Sequence, residues 1–154
     1  MLPFLRSFRF AGRGLLLCLR ERNFRFHITL AAYMYGFLLL HDWFLLARWE
    51  WAILLFATVL VLAAEAFNTA IEAVVDLASP GRHPLAARAK DIAAAAVLIC
   101  SLGAVAVGVV LLWQPAAFAA MFAYYEARPG MLAVLALSLV GAAWFIWGIG
   151  RKKK

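Results

Sequence analysis

The sequence predicts an all-α integral membrane protein, and three observations carry that prediction. Of the 154 residues 67% are hydrophobic, far above the roughly 45–50% apolar content of a soluble domain. The apolar residues fall into runs long enough to cross a hydrocarbon core of about 30 Å as helices. The charged residues gather between those runs rather than on one face. A chain this short is expected to form one membrane domain, not a soluble module hung on an anchor.

The first segment, from about residue 4 to 25, interleaves six arginines with Phe4, Leu5, Phe8, Phe10 and the leucines up to Leu19. Such a mixture suits a helix lying in the membrane interface, with arginines at the headgroups and rings in the acyl boundary; a plain basic flank that sets topology is the alternative. Spans follow at about 28–46, where His41 and Asp42 mark the far end, at 49–76, at 92–113 and at 131–148. The remainder of 114–154 is expected to be an outer loop and a basic tail of Arg151, Lys152, Lys153 and Lys154. No cleavable leader pattern follows the N-terminal arginines, so insertion is expected to rest on the spans.

The net charge of +7 invites a nucleic-acid reading, but the distribution of the basic residues removes it. Thirteen of the fifteen precede the first span, lie between the second and third, or follow the fourth. The positive-inside rule turns this into a topology with both termini and the 77–90 loop on the cytoplasmic side. Trp43, Trp49 and Trp51, and Trp144 and Trp147, fit the aromatic belts at the two interfaces. Cys18 and Cys100 have no metal-ligand or framework spacing and read as packing residues.

The chemistry concentrates in 65–76, EAFNTAIEAVVD. At about 100° per residue Glu65, Asn68, Glu72 and Asp76 fall within an arc of roughly 80°, while the other faces of the helix stay apolar. An ionisable side chain inside a span costs at least about 2.5 kcal/mol, which marks the stripe as a functional candidate. A structural polar contact between helices is the plain alternative, yet acids on one face repel unless a cation or shared proton relieves them. Acids at an interface could hold a divalent metal, take a proton from an alcohol or line an ion path. Nearby Arg82, His83, Arg88, Lys90 and Asp91 favour the first two: carboxylates for metal beside cations for phosphate are what phosphoryl transfer needs. Topology and headgroup binding would also explain those cations. Neither a G-x-x-x-x-G-K-[ST] loop nor a glycine-rich kinase loop is present.

Three stretches in order, ERNFRFH at 21–27, EAFNTAIEAVVD at 65–76 and HPLAARAKDIAAAAV at 83–97, resemble the prokaryotic diacylglycerol kinase and undecaprenol kinase family of small membrane enzymes. The resemblance covers about residues 7–113. It implies a lipid kinase core within 1–113, an interfacial helix with three spans, assembled as a homotrimer in the bacterial cytoplasmic membrane with sites between subunits. It further implies transfer of phosphate from ATP to a lipid alcohol. Glu65 would be the base, aided by Asn68; Glu21 and Glu72 would hold Mg²⁺ and the ATP phosphates; His83, Lys90 and Asp91 would contact nucleotide; Asp76 would support the site.

The chain departs from the family in three ways. The stretch between Gly14 and Glu21 is about one residue short, Ala94 stands where some members have serine, and the fourth span exceeds the three-span pattern. NFRFH at 23–27 and SPGRHPL at 79–85 look more like the branch acting on undecaprenol. A non-catalytic scaffold of the same fold and a small proton or cation conductor remain as alternatives; a conductor should need polar groups continuing toward the outside.

Overall fold

The computed structural model describes residues 2–81 and 83–148, and among them every regular element is helical. In chain order these are α1 (Leu2–Cys18), α2 (Arg22–Leu40), α3 (Arg48–Ala78), α4 (Pro84–Leu112), α5 (Pro115–Glu126) and α6 (Pro129–Ala143), which runs into a π-helical turn, Trp144–Gly148. Arg82 and the basic tail lie outside the described residues.

Three helices are long and apolar enough to cross a membrane: α3, α4, and α6 with its π-turn, residues Pro129–Gly148. The protein is a multi-pass membrane protein. Its exposed surface agrees, since large apolar side chains such as Leu40, Leu77 and Val110 are more than three-quarters exposed, which only lipid or another subunit could cover.

The first expected span needs correction. Its helix runs over 22–40 rather than 28–46 and includes Arg22, Arg25 and His27, so α2 does not meet the spanning standard alone. His41 ends it with extended backbone (φ −141°, ψ 139°) and stacks on Trp43 at 3.9 Å between ring centroids. The interfacial segment expected over 4–25 likewise ends at Cys18, and 22–25 belong to α2. A sharp elbow at 19–21 separates α1 from α2. Residues 115–126, expected as loop, form α5; Pro115 sits in its first turn, where a missing N–H costs nothing.

α2 lies antiparallel to α3, fixed by His27 against Glu65 near one end and by the Tyr35 to Thr58 hydroxyl pair at 3.0 Å near the other. On its other flank it meets α6 and the π-turn: Tyr33 Oη donates to Ser138 Oγ at 2.9 Å and Arg25 donates to the Ile146 carbonyl at 2.8 Å. α4 pairs with α3 along its length. The order across the molecule is therefore α4, α3, α2, α6.

The end opposite the acids is closed by aromatic rings. Phe118 of α5 meets Phe44 and Trp113 edge-on, and Tyr124 packs against His41 and Trp43. The Gln114 amide both donates to the Leu45 carbonyl and accepts its N–H, each at 3.1 Å. That pairing satisfies backbone left open where α2 stops.

Candidate active site

The buried face of α3 explains where the site sits. Leu54 and Val61 are buried on it, and one and two turns further along the same face carries Glu65 and Asn68, also buried. The inward stripe thus changes from hydrocarbon to carboxylate within one helix. With a rise of 1.5 Å per residue α3 is about 46 Å long, more than the hydrocarbon requires, so its last turns bring the acids to a boundary.

Glu65 is only 3% exposed. His27 of α2 places Nε2 3.2 Å from its Oε1. Asn68 Nδ2 donates to Glu72 Oε1 at 2.8 Å, which aligns the Glu72 carboxylate, while the Asn68 carbonyl oxygen is buried with no partner among the described residues. Thr69 Oγ1 donates back to the Glu65 carbonyl at 3.0 Å.

The elbow before α2 supplies the third acid. Glu21 is the N-cap residue of α2, and it lines one cleft of about 330 Å³ with Arg22, Asn23, Glu65, Asn68, Thr69 and Glu72. Four of the expected site residues are brought together here: Glu21, Glu65, Asn68 and Glu72.

A second cleft, about 490 Å³, opens one turn further along α3 and takes in Asp76, His83 and Lys90. Lys90 Nζ donates to Asp76 Oδ1, so α4 and α3 are bridged by an ion pair. His83 caps α4: its Nδ1 accepts the Leu85 N–H at 3.2 Å, leaving Nε2 for another partner. Asp91 lines neither cleft and is exposed.

No group of three or more His, Cys, Asp or Glu among the described residues is arranged to hold a metal by itself. Glu21 and Glu72 nonetheless open on one cleft. Two carboxylates completed by substrate phosphates and water are the donor set Mg²⁺ commonly takes, so these residues fit such an ion.

Sequence reasoning missed His27. It stands in the 21–27 motif, yet only the antiparallel seating of α2 on α3 reveals its contact with Glu65. Arg22 and Asn23 were missed for the same reason: the elbow is what faces them into the cleft.

Residues 9–112 match the prokaryotic diacylglycerol kinase family. Undecaprenol kinase of Bacillus subtilis (strain 168) is 39% identical over 111 residues, covering 70% of this chain and 86% of that protein. A diacylglycerol kinase of Synechocystis is 42% identical over 112 residues, 71% of this chain and 62% of its own length. The Escherichia coli (strain K12) diacylglycerol kinase is 46% identical over 62 residues, 40% of this chain and 51% of that one. No solved structure matches. The match takes in α2, α3 and α4 with both clefts and stops where α5 begins, and over that core the chain belongs to the prokaryotic diacylglycerol kinase family.

Proposed function

We propose that this protein is an ATP-dependent lipid kinase that phosphorylates a membrane lipid alcohol, and that undecaprenol rather than diacylglycerol is its acceptor. The observation that carries the reading is a carboxylate, Glu65, buried to 3% exposure on the stripe of a spanning helix yet opening on a cleft with two further acids.

A hydroxyl at the acyl boundary reaches Glu65 without leaving the bilayer; Glu65 accepts its proton as the oxygen attacks the γ-phosphorus, the bond from that phosphorus to the β,γ-bridging oxygen breaks, and ADP leaves. The unpartnered Asn68 carbonyl oxygen is placed to accept a hydrogen bond from the same hydroxyl and orient it. Glu21 and Glu72 would hold Mg²⁺, which would supply neutralisation of phosphate charge. His83 and Lys90, which line the second cleft, contact the nucleotide, and Asp76 keeps Lys90 in place through its ion pair. Positioning and charge neutralisation supply most of the acceleration, as phosphoryl transfer requires little covalent help.

The kinase reading places both clefts at the cytoplasmic face of a bacterial inner membrane, where ATP is found. Both termini then lie on that side, in agreement with the distribution of basic residues. The working unit is a homotrimer, a reading supported by family membership and by the apolar α4 surface left open at Ile99, Leu102 and Val110. The conductor reading loses support from α3 itself, whose buried face beyond Glu65 is Val61 and Leu54: a conducting path needs polar groups there.

Undecaprenol is favoured because the undecaprenol kinase relative is covered over 86% of its length and the diacylglycerol kinase relatives over 62% and 51%. Purified protein in mixed micelles with Mg-ATP is expected to show a kcat/KM for undecaprenol at least roughly tenfold above that for diacylglycerol. Equal values, or the reverse order, would overturn the assignment.

His27 acts on Glu65 in this account. His27→Ala removes the imidazole that stands 3.2 Å from Glu65 Oε1, and is expected to lower kcat roughly tenfold while Mg-ATP binding is kept. A wild-type kcat in that variant would remove His27 from the mechanism.

A further inference from the structure

Arg25 is 2% exposed, more deeply buried than either Glu65 or Asn68. A guanidinium taken out of water is costly unless its donors are met, and here backbone carbonyls accept from both of its terminal nitrogens. Nη1 donates to the carbonyls of Arg20 at 2.9 Å and Leu19 at 3.2 Å, just past the C-terminal end of α1, where carbonyls lack intrahelical partners and carry the negative end of the helix dipole. Nη2 donates at 2.8 Å to Ile146, inside the π-turn, where the α-helical ladder is interrupted. The Phe145 ring lies 5.9 Å from the guanidinium carbon.

These bonds close around Glu21. Arg25 Nη1 holds the Arg20 carbonyl and the Arg25 backbone N–H holds the Glu21 carbonyl at 3.1 Å, so the peptide groups on both sides of the Glu21 Cα are tied to one residue. The Glu21 N–H donates to the Cys18 carbonyl at 2.9 Å. With both flanking peptides fixed, the direction of the Glu21 Cα–Cβ bond is fixed as well, and from there the side chain lines the cleft of Glu65 and Glu72. The last anchor of this arrangement, Ile146, lies beyond the family match, which ends at residue 112.

We propose that Arg25 is a positioning residue through which the C-terminal spanning helix, α6, sets the geometry of the Mg-ATP site: the π-turn at 144–148 anchors the guanidinium, and the guanidinium locks the elbow that presents Glu21. The inference rests on the reading of Glu21 as a Mg-ATP carboxylate given above. It gives the helix outside the family core a task at the catalytic end.

Two substitutions in the full chain approach the clasp from opposite sides. Arg25→Lys keeps the charge but replaces a planar fork with one point donor that cannot reach three carbonyls together. Gly148→Ala leaves α1 and α2 untouched; a Cβ there would lie 2.8 Å from Trp144 Cδ1, so the Trp144 ring or the π-turn that carries it must shift. The primary readout is the dissociation constant of Mg-ATP, measured by titration calorimetry on purified protein in micelles, with kcat and both KM values beside it.

Both variants are expected to weaken Mg-ATP binding roughly tenfold, as loss of a residue that orients a metal ligand does, with lipid KM and saturating kcat close to wild type. A merely structural role would lower the active fraction, and hence kcat, and leave the dissociation constant unmoved. Unchanged Mg-ATP binding in either folded variant overturns the proposal, and if Arg25→Lys does not fold, Gly148→Ala decides alone. Wild-type protein that binds Mg-ATP but phosphorylates neither lipid defeats the kinase reading and leaves the clasp to be judged on the dissociation constants; wild-type protein that binds no Mg-ATP defeats both.

Discussion

Glu65→Gln is expected to reduce lipid phosphorylation by roughly 10²–10⁴-fold, the range general-base catalysis supplies, with folding and Mg-ATP affinity retained. The substitution is nearly isosteric in a site that is 3% exposed, so no cavity opens. The glutamine carbonyl still accepts from His27 if the imidazole donates. It also removes one of three acids from a single cleft, which relieves repulsion. What it cannot do is take a proton from an alcohol. Steady-state kinetics with saturating lipid, paired with a Mg-ATP binding isotherm, checks the expectation. Activity within a few-fold of wild type would remove the base from the mechanism.

Glu72→Gln is expected to produce a different signature. Glutamine still presents an oxygen to Asn68 Nδ2, now 2.8 Å from Glu72, so the local arrangement survives while one anionic donor to the metal is lost. The half-saturating Mg²⁺ concentration should rise roughly 10- to 100-fold, with activity partly recovered at high Mg²⁺. Glu72→Ala should do worse, because it also strands the Asn68 amide in a buried position. A Mg²⁺ titration of activity at fixed free ATP distinguishes the two. An unchanged Mg²⁺ requirement in Glu72→Gln would show that this carboxylate does not serve the metal.

The stripe of Glu65, Asn68 and Glu72 was legible from the sequence because helical periodicity alone assigns residues to a face, and the face proved to be the buried one. The ion pair of Asp76 with Lys90 was foreshadowed by their positions on either side of a short loop. The meeting of Glu21 with Glu65 and Glu72 follows from no periodicity. It depends on the elbow at 19–21, and only the resemblance to a family pointed to it.

The end of α2 was legible at His41 and Asp42, which stand just past its last residue, Leu40. What was not legible is the course of 43–46, Trp-Phe-Leu-Leu, apolar yet outside the helix and held from far along the chain, by Gln114 on Leu45, Phe118 on Phe44 and Tyr124 on Trp43. Arg25 shows the same limit in reverse. Among five other N-terminal arginines it reads as a headgroup contact, yet the structure buries it between the elbow and a turn 121 residues away.

The central claim is that the acidic cleft moves phosphate from ATP onto a membrane alcohol, and the most direct measurement follows that phosphate. Wild-type protein and Glu65→Gln would be incubated in mixed micelles with Mg-ATP labelled at the γ-position and undecaprenol, and the lipid extracted and counted. The account predicts label in the lipid fraction with wild type and its near-complete loss with Glu65→Gln. Wild-type protein that binds Mg-ATP yet leaves undecaprenol and diacylglycerol both unlabelled would contradict it.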